Sequence, residues 1–332
     1  MKRITINDVA ERANVSKSTV SHYLNNRFSY MGSDTKERIA KAVEELNYNP
    51  NFIAKSLKNK KTMTVGIIVA NILHSFSTQI IRAIEDYFYT KDYHVIVCNA
   101  DDDPVKEKSY VQMLMSKQVD GLIVIPTLEN ELLFKDLYEQ NFPVVFIDRY
   151  IEGLSIPSYL LNNALAIENA FNYLLEKKHK EIGFISQPVK NITPRVERKN
   201  AYLKSCQTHG IKPFTLSTSL DNLHTEIKNH LENNTMPSSL IVANDLALLE
   251  VLRSAKETGT VIPRDLSIIS IDDIEFTEFF NPSLTVIAQP TFEIGKAAAR
   301  GLFHTINHEH TDYSTHRFNH QFIERSSVKH EN

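Results

Sequence analysis

Short apolar runs that alternate with helical patterns constrain the fold of this chain most strongly. The first four runs are continuous in apolar residues, as parallel strands buried on both faces are: TVGIIVAN (64–71), YHVIVCNA (93–100), GLIVIP (121–126) and PVVFID (143–148). Helical patterns separate them, over 76–90, 105–117 and 130–140. A second round has strands at 181–186, 214–216, 239–244, 266–272 and 284–289, with helices over 164–177, 196–209, 221–233 and 246–258. The alternation predicts an α/β fold with two lobes of doubly wound parallel sheets.

The carboxyl ends of these strands are rich in polar residues, and ligands of open parallel sheets bind at such ends. The ends carry Asn71, Asn99 to Asp103, Asp148-Arg149, Ser186-Gln187, Asn244-Asp245, Asp272-Asp273 and Gln289. Amides and carboxylates suit pairs of hydroxyls, and arginine binds a carboxylate through two parallel hydrogen bonds. Structural roles are open as well: Asp148 and Asp272 can cap turns, Asn244 can cap the helix that follows it, and Arg198 can pair with a surface carboxylate.

The N-terminal stretch TINDVAERANVSKSTVSHYLN (5–25) predicts two short helices joined by a tight turn. Thr5 with Asp8, and Ser16, are N-cap residues that begin the two helices. The second helix presents short polar or cationic side chains that suit phosphates and base edges: Lys17, Ser18, Thr19, Ser21 and His22. This pattern favours a helix-turn-helix whose second helix enters the major groove, and the alternative is an ordinary helical hairpin with a polar outer face.

A third helix over 33–47 completes a module of about 50 residues, which ends at Asn49-Pro50. The segment that follows, NPNFIAKSLKNKKT, has apolar residues on one side and lysines on the other. A helix of this length is unfolded on its own but can order on DNA, with Leu57 wedged between base steps in the minor groove. The alternative is a flexible basic linker.

Charge is distributed unevenly along the 332 residues. Residues 1–61 have a net charge of +6 and the remaining residues have a net charge of −9, which together give −3 for the whole chain. A basic head that is attracted to phosphate and an acidic body fit a nucleic-acid-binding module on a larger ligand-binding protein, although lysines can also cluster by chance on a solvated terminus.

Several classes of protein are disfavoured by what the sequence contains. Two distant cysteines, Cys98 and Cys206, indicate neither a disulfide framework nor a cysteine metal site, and a cytoplasmic location is the simpler expectation. No run approaches 18 apolar residues and the first residues form no leader, so we expect no membrane partner. No phosphate-cradling glycine loop or nucleophile elbow occurs, so we expect no cofactor, no catalytic residues and no enzyme. Histidines at 304, 308 and 310 are interpreted as a solvated helix face rather than a metal site.

Taken together, the motifs resemble those of the lactose-repressor/galactose-repressor (LacI/GalR) family of bacterial transcription regulators over nearly the whole chain. The head has T-I-x-D-V-A at 5–10, V-S-x-x-T-V-S at 15–21, E-L-N-Y-x-P-N at 45–51 and A-x-x-L at 54–57. The body has V-x-F-I-D-R at 144–149, A-N-D at 243–245, V-I-P-R-D-L-S-I-I-S-I-D-D at 261–273 and P-S-L-T-V-I-A-Q-P at 282–290. Within the family, K-S-T-V-S-H-Y-L-N followed by I-V-A-N-I is most similar to the 2-keto-3-deoxygluconate regulators.

The resemblance implies a domain order and a set of DNA contacts. It implies a helix-turn-helix domain at 1–49, a hinge helix and linker at 50–62, and a periplasmic-binding-protein-like body at 63–332 that binds effector and dimerises. Lobe 1 would comprise about 63–160 and 291–320, and lobe 2 about 161–290 and 321–332. Base-reading positions are Lys17, Ser18 and His22; phosphate contacts are Thr5, Ser16, Thr19, Ser21 and Asn25; and the hinge residues Asn51, Ala54 and Leu57 pair across a homodimer on a pseudo-palindromic operator.

The resemblance also implies an effector site between the lobes, made by Asn71, Phe76, Asp148, Arg149, Arg198, Asn244, Asp272 and Gln289. Arg195 joins them as a third arginine near the cleft, and the three arginines favour an acidic sugar over a neutral one. The expected function is a sequence-specific transcriptional regulator, a repressor of carbohydrate genes, controlled by a sugar or sugar acid. The alternatives are a carbon regulator activated by a phosphorylated carrier protein and a sugar-processing enzyme with an accessory DNA-binding head.

Overall fold

The computed structural model describes residues 4–29, 31–48, 61–309 and 314–331. The chain divides into two compact units, Met1–Thr62 and Met63–Asn332. The predicted hinge residues Asn51, Ala54 and Leu57 lie outside the described residues, as does His310. Among the described residues, no helix combines the length and the apolar character that crossing a bilayer requires.

The first unit contains three helices: α1 (Ile6–Arg12), α2 (Lys17–Leu24) and α3 (Ser33–Glu45). The α1 helix begins with a capping box, because the Thr5 hydroxyl accepts a hydrogen bond from the Asp8 amide while the Asp8 carboxylate accepts one from the Thr5 amide. The three helices pack around a core in which Val9, Val20 and Ile39 are completely buried. The predicted three-helix module is therefore confirmed.

Lobe 1 is a six-stranded parallel sheet with the strand order β11-β5-β4-β3-β1-β2. Its strands are β1 (Thr64–Val69), β2 (His94–Asn99), β3 (Gly121–Val124), β4 (Val144–Ile147), β5 (Ser158–Leu161) and β11 (Thr315–Phe318). Its helices are α4 (Ser75–Tyr89), α5 (Pro104–Ser116), α6 (Glu131–Glu139) and α12 (Thr291–Ile306).

Lobe 2 is also a six-stranded sheet, with the order β12-β10-β9-β8-β6-β7, and only β12 runs antiparallel to its neighbour. Its strands are β6 (Ile182–Ser186), β7 (Phe214–Ser217), β8 (Ser239–Val242), β9 (Ser267–Ile271), β10 (Thr285–Ala288) and β12 (Gln321–Ile323). Its helices are α7 (Asn163–Glu176), α8 (Thr193–His209), α9 (Leu220–Glu232), α10 (Asp245–Thr258) and the short α11 (Phe276–Phe279).

Each sheet has a hydrophobic core on both of its faces, as the continuous apolar runs predict. The chain passes between the lobes three times: between β5 and α7, between β10 and α12, and between β11 and β12. Three neighbouring crossings form a hinge region, so the carboxyl ends of the two sheets face one another across a cleft.

Candidate functional site

The outer surface of α2 carries the three side chains that the sequence places at base-reading positions. Lys17, Ser18 and His22 are all exposed, whereas Val20 on the opposite side of the helix is completely buried. The helix therefore buries one face in the head and presents the other to solvent. An exposed face with a cation, a hydroxyl and an imidazole is compatible with reading base edges in a major groove.

Hydroxyl groups cluster at the N-terminus of α2. Ser16 caps the helix, because its Oγ accepts a hydrogen bond from the Thr19 amide at 3.1 Å. The same Oγ lies 2.7 Å from Ser18 Oγ and 2.8 Å from Thr19 Oγ1. Hydroxyls and free amides at a helix N-terminus suit phosphate oxygens, since the helix dipole favours negative charge there.

At the other end of the helix, the Asn25 amide donates to the backbone carbonyl of Ser21 at 2.7 Å. The structure therefore exposes the residues that are predicted to read bases, and it places two of the predicted phosphate residues, Ser16 and Asn25, at the two ends of α2. Thr5 precedes α1 and is exposed, as are Ser16 and Asn25.

All nine residues predicted to bind an effector line one cavity between the lobes, which we call the inner cavity. They are Asn71, Phe76, Asp148, Arg149, Arg195, Arg198, Asn244, Asp272 and Gln289. Lobe 1 contributes the residues after β1 and β4, and lobe 2 contributes those after β8, β9 and β10 together with the first turns of α8. The cavity has a volume of about 50 Å³.

Two of the cavity carboxylates have strained backbones. Asp148, directly after β4, has φ 65°, and Asp272, directly after β9, has φ 80°. Non-glycine residues rarely adopt positive φ, and such strain persists where the surrounding structure and the function require it. Both residues lie in the turn directly after their strand and line the inner cavity.

The three arginines of the cavity are already engaged within the protein. Arg198 donates from Nε to Asn163 Oδ1 and from Nη1 to the carbonyl of Ala243, both at 2.7 Å. This buried arrangement differs from the surface ion pair that was the structural alternative for Arg198.

Arg149 and Arg195 share a carboxylate. Arg149 Nη1 donates to the carbonyl of Pro126 at 3.1 Å and lies 2.8 Å from Asp102 Oδ1. Arg195 Nη2 lies 3.9 Å from the other oxygen of Asp102, and its Nη1 donates to the carbonyl of Pro188 at 2.9 Å. Burial, together with the nearby Arg149, lowers the pKa of Arg195 to about 10, so the side chain remains charged at neutral pH. Each of the three guanidinium groups therefore has at least one partner within the protein, and the expectation of an acidic sugar stays a prediction.

Unpaired polar atoms remain in the cavity wall. Among the described residues, Arg149 Nε and Gln289 Oε1 are buried and take part in no hydrogen bond. Gln289 meanwhile donates from Nε2 to Asp272 Oδ1 at 2.6 Å. Arg149 Nε lies 3.9 Å from Asp148 Oδ2, and the unpaired donor and acceptor in the same cavity are suited to a polar ligand.

A direct contact between the lobes lies beside the cavity. His74, the N-cap residue of α4 in lobe 1, places Nδ1 2.6 Å from Asp245 Oδ1 in lobe 2. The other oxygen of Asp245 accepts a hydrogen bond from the Ser75 amide at 2.7 Å, so a carboxylate of one lobe caps a helix of the other. Burial acts to raise the pKa of Asp245, but the hydrogen bonds from His74, Ser75 and Leu246 outweigh it and lower the pKa overall.

The environment of Asp272 has the opposite effect. Burial raises the pKa of Asp272 to about 6, and the neighbouring Asp245 adds to the rise, whereas Arg198 and Gln289 limit it. Burial makes the charged form of this carboxylate unfavourable. Ligand hydroxyls that donate hydrogen bonds to it would stabilise that form, so the carboxylate suits such a ligand.

The capping alternatives have mixed outcomes. Asn244 does cap α10, because its Oδ1 accepts from the Ala247 amide at 2.9 Å, while its side-chain amide donates to Gln187 Oε1. Capping and cavity lining therefore coexist at Asn244. Asp103, in the polar stretch before α5, caps that helix, because its Oδ1 accepts hydrogen bonds from the amides of Val105 and Lys106. No metal site is formed among the described residues.

Sequence reasoning did not assign several residues that belong to the site. His74, Ser77, Ile192 and Pro194 line the cavity, and Asp245 joins the lobes beside it. Asp245 stands in the polar set at the strand ends, so its position gave some indication. His74 gave none, because its partner is 171 residues away.

Comparison with known proteins agrees with both parts of the chain. Residues 5–51 match the model of bacterial regulatory proteins of the lacI family, and residues 171–328 match the periplasmic binding protein-like domain. The lac repressor dimer bound to operator and the anti-inducer ONPF superposes with a TM-score of 0.88 over 99% of this chain and 100% of that one, at 24% identity, which shows the shared fold.

Two curated relatives extend the match to the whole sequence. The probable HTH-type transcriptional regulator EndR of Paenibacillus polymyxa is 44% identical over 93% of this chain and 92% of its own length. The HTH-type transcriptional regulator KdgR of Bacillus subtilis is 31% identical over 89% of this chain and 88% of its own. The chain therefore belongs to the lacI family of bacterial regulatory proteins and is a DNA-binding transcriptional regulator rather than an enzyme.

Proposed function

We propose that this regulator is a homodimeric repressor of carbohydrate genes whose affinity for a pseudo-palindromic operator is controlled by a sugar bound between its lobes. The observation that carries the proposal is the inner cavity. Nine polar, cationic or aromatic side chains from both lobes meet there, with an unpaired buried donor on Arg149 and an unpaired buried acceptor on Gln289. A ligand in this position contacts both lobes at once.

The head supplies the means of binding DNA. The exposed Lys17, Ser18 and His22 would contact base edges, and the hydroxyls of Thr5, Ser16, Thr19 and Ser21 together with Asn25 would contact phosphates. The balance of +6 over residues 1–61 supports this assignment, because cations that neutralise phosphates release condensed counterions. A regulator of this kind works in the cytoplasm, beside the chromosome.

Exposed apolar residues in lobe 2 support the homodimer. Phe279 is 80% exposed, and Leu249 and Val261 are each 42% exposed. They lie at or beside an open apolar groove of about 560 Å³, whose floor includes Phe276 and Phe280. Exposed apolar surface of this kind favours association, and a two-fold dimer would present two heads to two operator half-sites.

Coupling between the cavity and the operator would pass through the arrangement of the lobes. A ligand that binds one arrangement more tightly shifts the population toward it, by as much as its affinities for the two arrangements differ. Residues 51, 54 and 57 stand in the sequence between the head and lobe 1, and we propose that the arrangement of the lobes sets the distance between the two Leu57 side chains of the dimer. Operator affinity would follow that distance.

DNA binding is tested with operators selected from a random duplex library by the full chain. Fluorescence anisotropy then compares Lys17→Ala with Lys41→Ala, which removes an equal charge from an exposed position on α3. We expect Lys17→Ala to weaken selected sites by about tenfold and to relax preference at one base pair of each half-site, as loss of one base contact does. Equal losses for both variants on all sequences would contradict the assignment of α2.

The effector proposal is tested by adding sugars and sugar acids to the complex of the full chain with its selected operator. We expect at least one of them to lower operator affinity tenfold or more and to raise the melting temperature of the free protein. A ligand that raises operator affinity would reverse the sign and identify a corepressor. If none changes either measurement, a small-molecule sugar effector is excluded at the concentrations used.

A further inference from the structure

A second cavity, which we call the outer chamber, lies between the same two lobes. Its volume is about 410 Å³. Lobe 1 lines it with Glu131, Tyr150 and Glu152, and lobe 2 lines it with residues that include Asn191 and Thr193. The lining of this chamber is about as polar as it is apolar, which suits a ligand with both hydroxyls and ring faces.

The two cavities share their walls. After β4, Arg149 lines the inner cavity while Tyr150 lines the outer chamber. Along the segment that begins α8, Ile192 and Pro194 line the inner cavity while Thr193 lines the outer chamber. The same two short segments therefore line both cavities, which adjoin along them.

The sizes of the cavities indicate a ligand that needs both. Sites for small molecules typically have volumes of about 300 to 1,000 Å³. The inner cavity, at about 50 Å³, is well below that range, whereas the outer chamber, at about 410 Å³, lies within it. A ring therefore fits the inner cavity only after the lobes move apart, whereas the adjoining outer chamber has the volume of a ligand site as it stands.

The charges around the inner cavity disfavour an anion. Three guanidinium groups, of Arg149, Arg195 and Arg198, face four carboxylates that line the cavity or contact its lining: Asp102, Asp148, Asp245 and Asp272. Each guanidinium group already donates to at least one protein acceptor: Arg149 to the carbonyl of Pro126, Arg195 to that of Pro188, and Arg198 to that of Ala243 and to Asn163 Oδ1. A ligand carboxylate would add a fifth negative charge in a buried place, where an uncompensated charge is costly.

The outer chamber adds further negative charge. Glu197 is neutralised, because Arg317 donates to both of its oxygens at 2.6 and 3.0 Å. Glu131 and Glu152 are exposed, and neither forms an ion pair within the described part of the chain. Their carboxylates would accept hydroxyl hydrogen bonds but repel an acid group at the entrance.

From this geometry we propose that the effector is an uncharged oligosaccharide of at least two rings, with one ring in the inner cavity and the next in the outer chamber. The inference rests on the proposed function and names its ligand class. The first ring binds Gln289 Oε1, Arg149 Nε and the Asp272 carboxylate through hydroxyls. The second ring packs against Tyr150 and donates hydroxyls to Glu152.

The test measures binding to the full chain by isothermal titration calorimetry. The panel contains glucose, the neutral disaccharides cellobiose, maltose, xylobiose and mannobiose, and the aldonic acid of each disaccharide. At least one neutral disaccharide should bind tenfold or more tightly than both glucose and its own aldonic acid. The same disaccharide should change the affinity of the chain for its selected operator.

Two variants separate the chambers. Tyr150→Ala should weaken the disaccharide about tenfold and leave glucose unchanged, because only the second ring contacts residue 150. Glu152→Gln should bring the affinity of the aldonic acid several-fold closer to that of the neutral sugar, since it removes a charge and keeps a hydrogen-bonding group. Glu129→Gln is the matched control, because Glu129 is exposed in the neighbouring loop and does not line the chamber.

The outcomes distinguish this inference from the function on which it rests. Tighter binding of glucose or of an aldonic acid than of every disaccharide overturns the inference and leaves a sugar-controlled regulator in place. An unchanged disaccharide affinity in Tyr150→Ala overturns the role of the outer chamber. If no sugar on the panel binds or changes operator affinity, the inference and the sugar effector both fail.

Discussion

Replacing Asp272 with asparagine should stabilise the protein and at the same time weaken its binding of effector. Asp272 is 6% exposed, and burial with the adjacent Asp245 raises its pKa to about 6 from an ordinary value of 3.8. A tenfold change in an acid dissociation constant corresponds to about 1.4 kcal/mol, so ionised Asp272 costs the native state up to about 3 kcal/mol at pH 7. Asparagine keeps the oxygen that accepts from Gln289 and tolerates the φ of 80°.

The sign of the pH dependence follows from proton binding. Between pH 4 and pH 6 the native state holds a proton on Asp272 that the unfolded state has lost, so this group makes stability fall as pH rises through that window. The variant lacks the effect. The free energy of unfolding of the variant should equal that of the native protein below pH 4 and should exceed it by about 1 to 3 kcal/mol above pH 6. This range allows for the new side-chain amide, which needs a hydrogen-bond acceptor.

Urea unfolding of the full chain, followed by circular dichroism from pH 4 to pH 8, measures this difference. Asp265→Asn is the control of opposite sign, because Arg264 lowers the pKa of the exposed Asp265 to about 2 and ionisation there favours folding. In Asp272→Asn we expect effector affinity to fall at least tenfold, since hydrogen bonds to a charged acceptor are lost. A variant that is less stable at pH 7, or equally more stable at every pH, would refute the account of Asp272.

Three further substitutions test other parts of the structure. Ser16→Ala should lower the stability of the head by about 1 kcal/mol, measured from its melting transition, because the cap on the Thr19 amide is lost; an unchanged transition would show that this cap is unimportant. Phe279→Glu should dissociate the dimer in sedimentation velocity, whereas Leu132→Glu, at an equally exposed apolar position in lobe 1, should leave it intact; a dimer in both would place the interface elsewhere. His74→Ala should lower the melting temperature, because the contact of His74 with lobe 2 is lost. It should also tighten effector binding, because that contact opposes the separation of the lobes that the inner cavity needs in order to admit a ring. Weaker binding would mean that the contact is also present in the effector-bound form.

The sequence predicts most elements of the fold because their apolar patterns are local. Strands β1 to β4 and β6 to β10 coincide with the predicted runs to within a few residues at their ends. Helix α8 begins three residues earlier than its periodicity indicates. Pro194 occupies its first turn, where a missing amide hydrogen costs nothing, so the proline belongs to the helix rather than preceding it.

Strands β5, β11 and β12 were missed, and their sequences explain why. β11, which reads THRF, alternates exposed and half-buried residues and contains no apolar run. It becomes a strand because Thr315 to Phe318 pair with Ser158 to Leu161, more than 150 residues away. Such pairing depends on the closure of lobe 1 by α12, whose Gly295 lies so near α4 that a Cβ would come within 2.8 Å of Ala83 Cβ. No local pattern encodes that closure.

The cavity residues were predictable for the same local reason, and their chemistry was not. Strand-end position and family motifs name nine of the fifteen lining residues, because the carboxyl ends of parallel strands must meet at one edge. Three arginines in such a set favour an acidic ligand when they are counted alone. In the structure, Arg149 and Arg195 lie near the Asp102 carboxylate, and the three arginines donate hydrogen bonds to the carbonyls of Pro126, Pro188 and Ala243. The sequence gives no sign of these contacts. What a cationic side chain can offer a ligand is decided by the partners that the fold has already given it, and here those partners favour hydroxyls over a carboxylate.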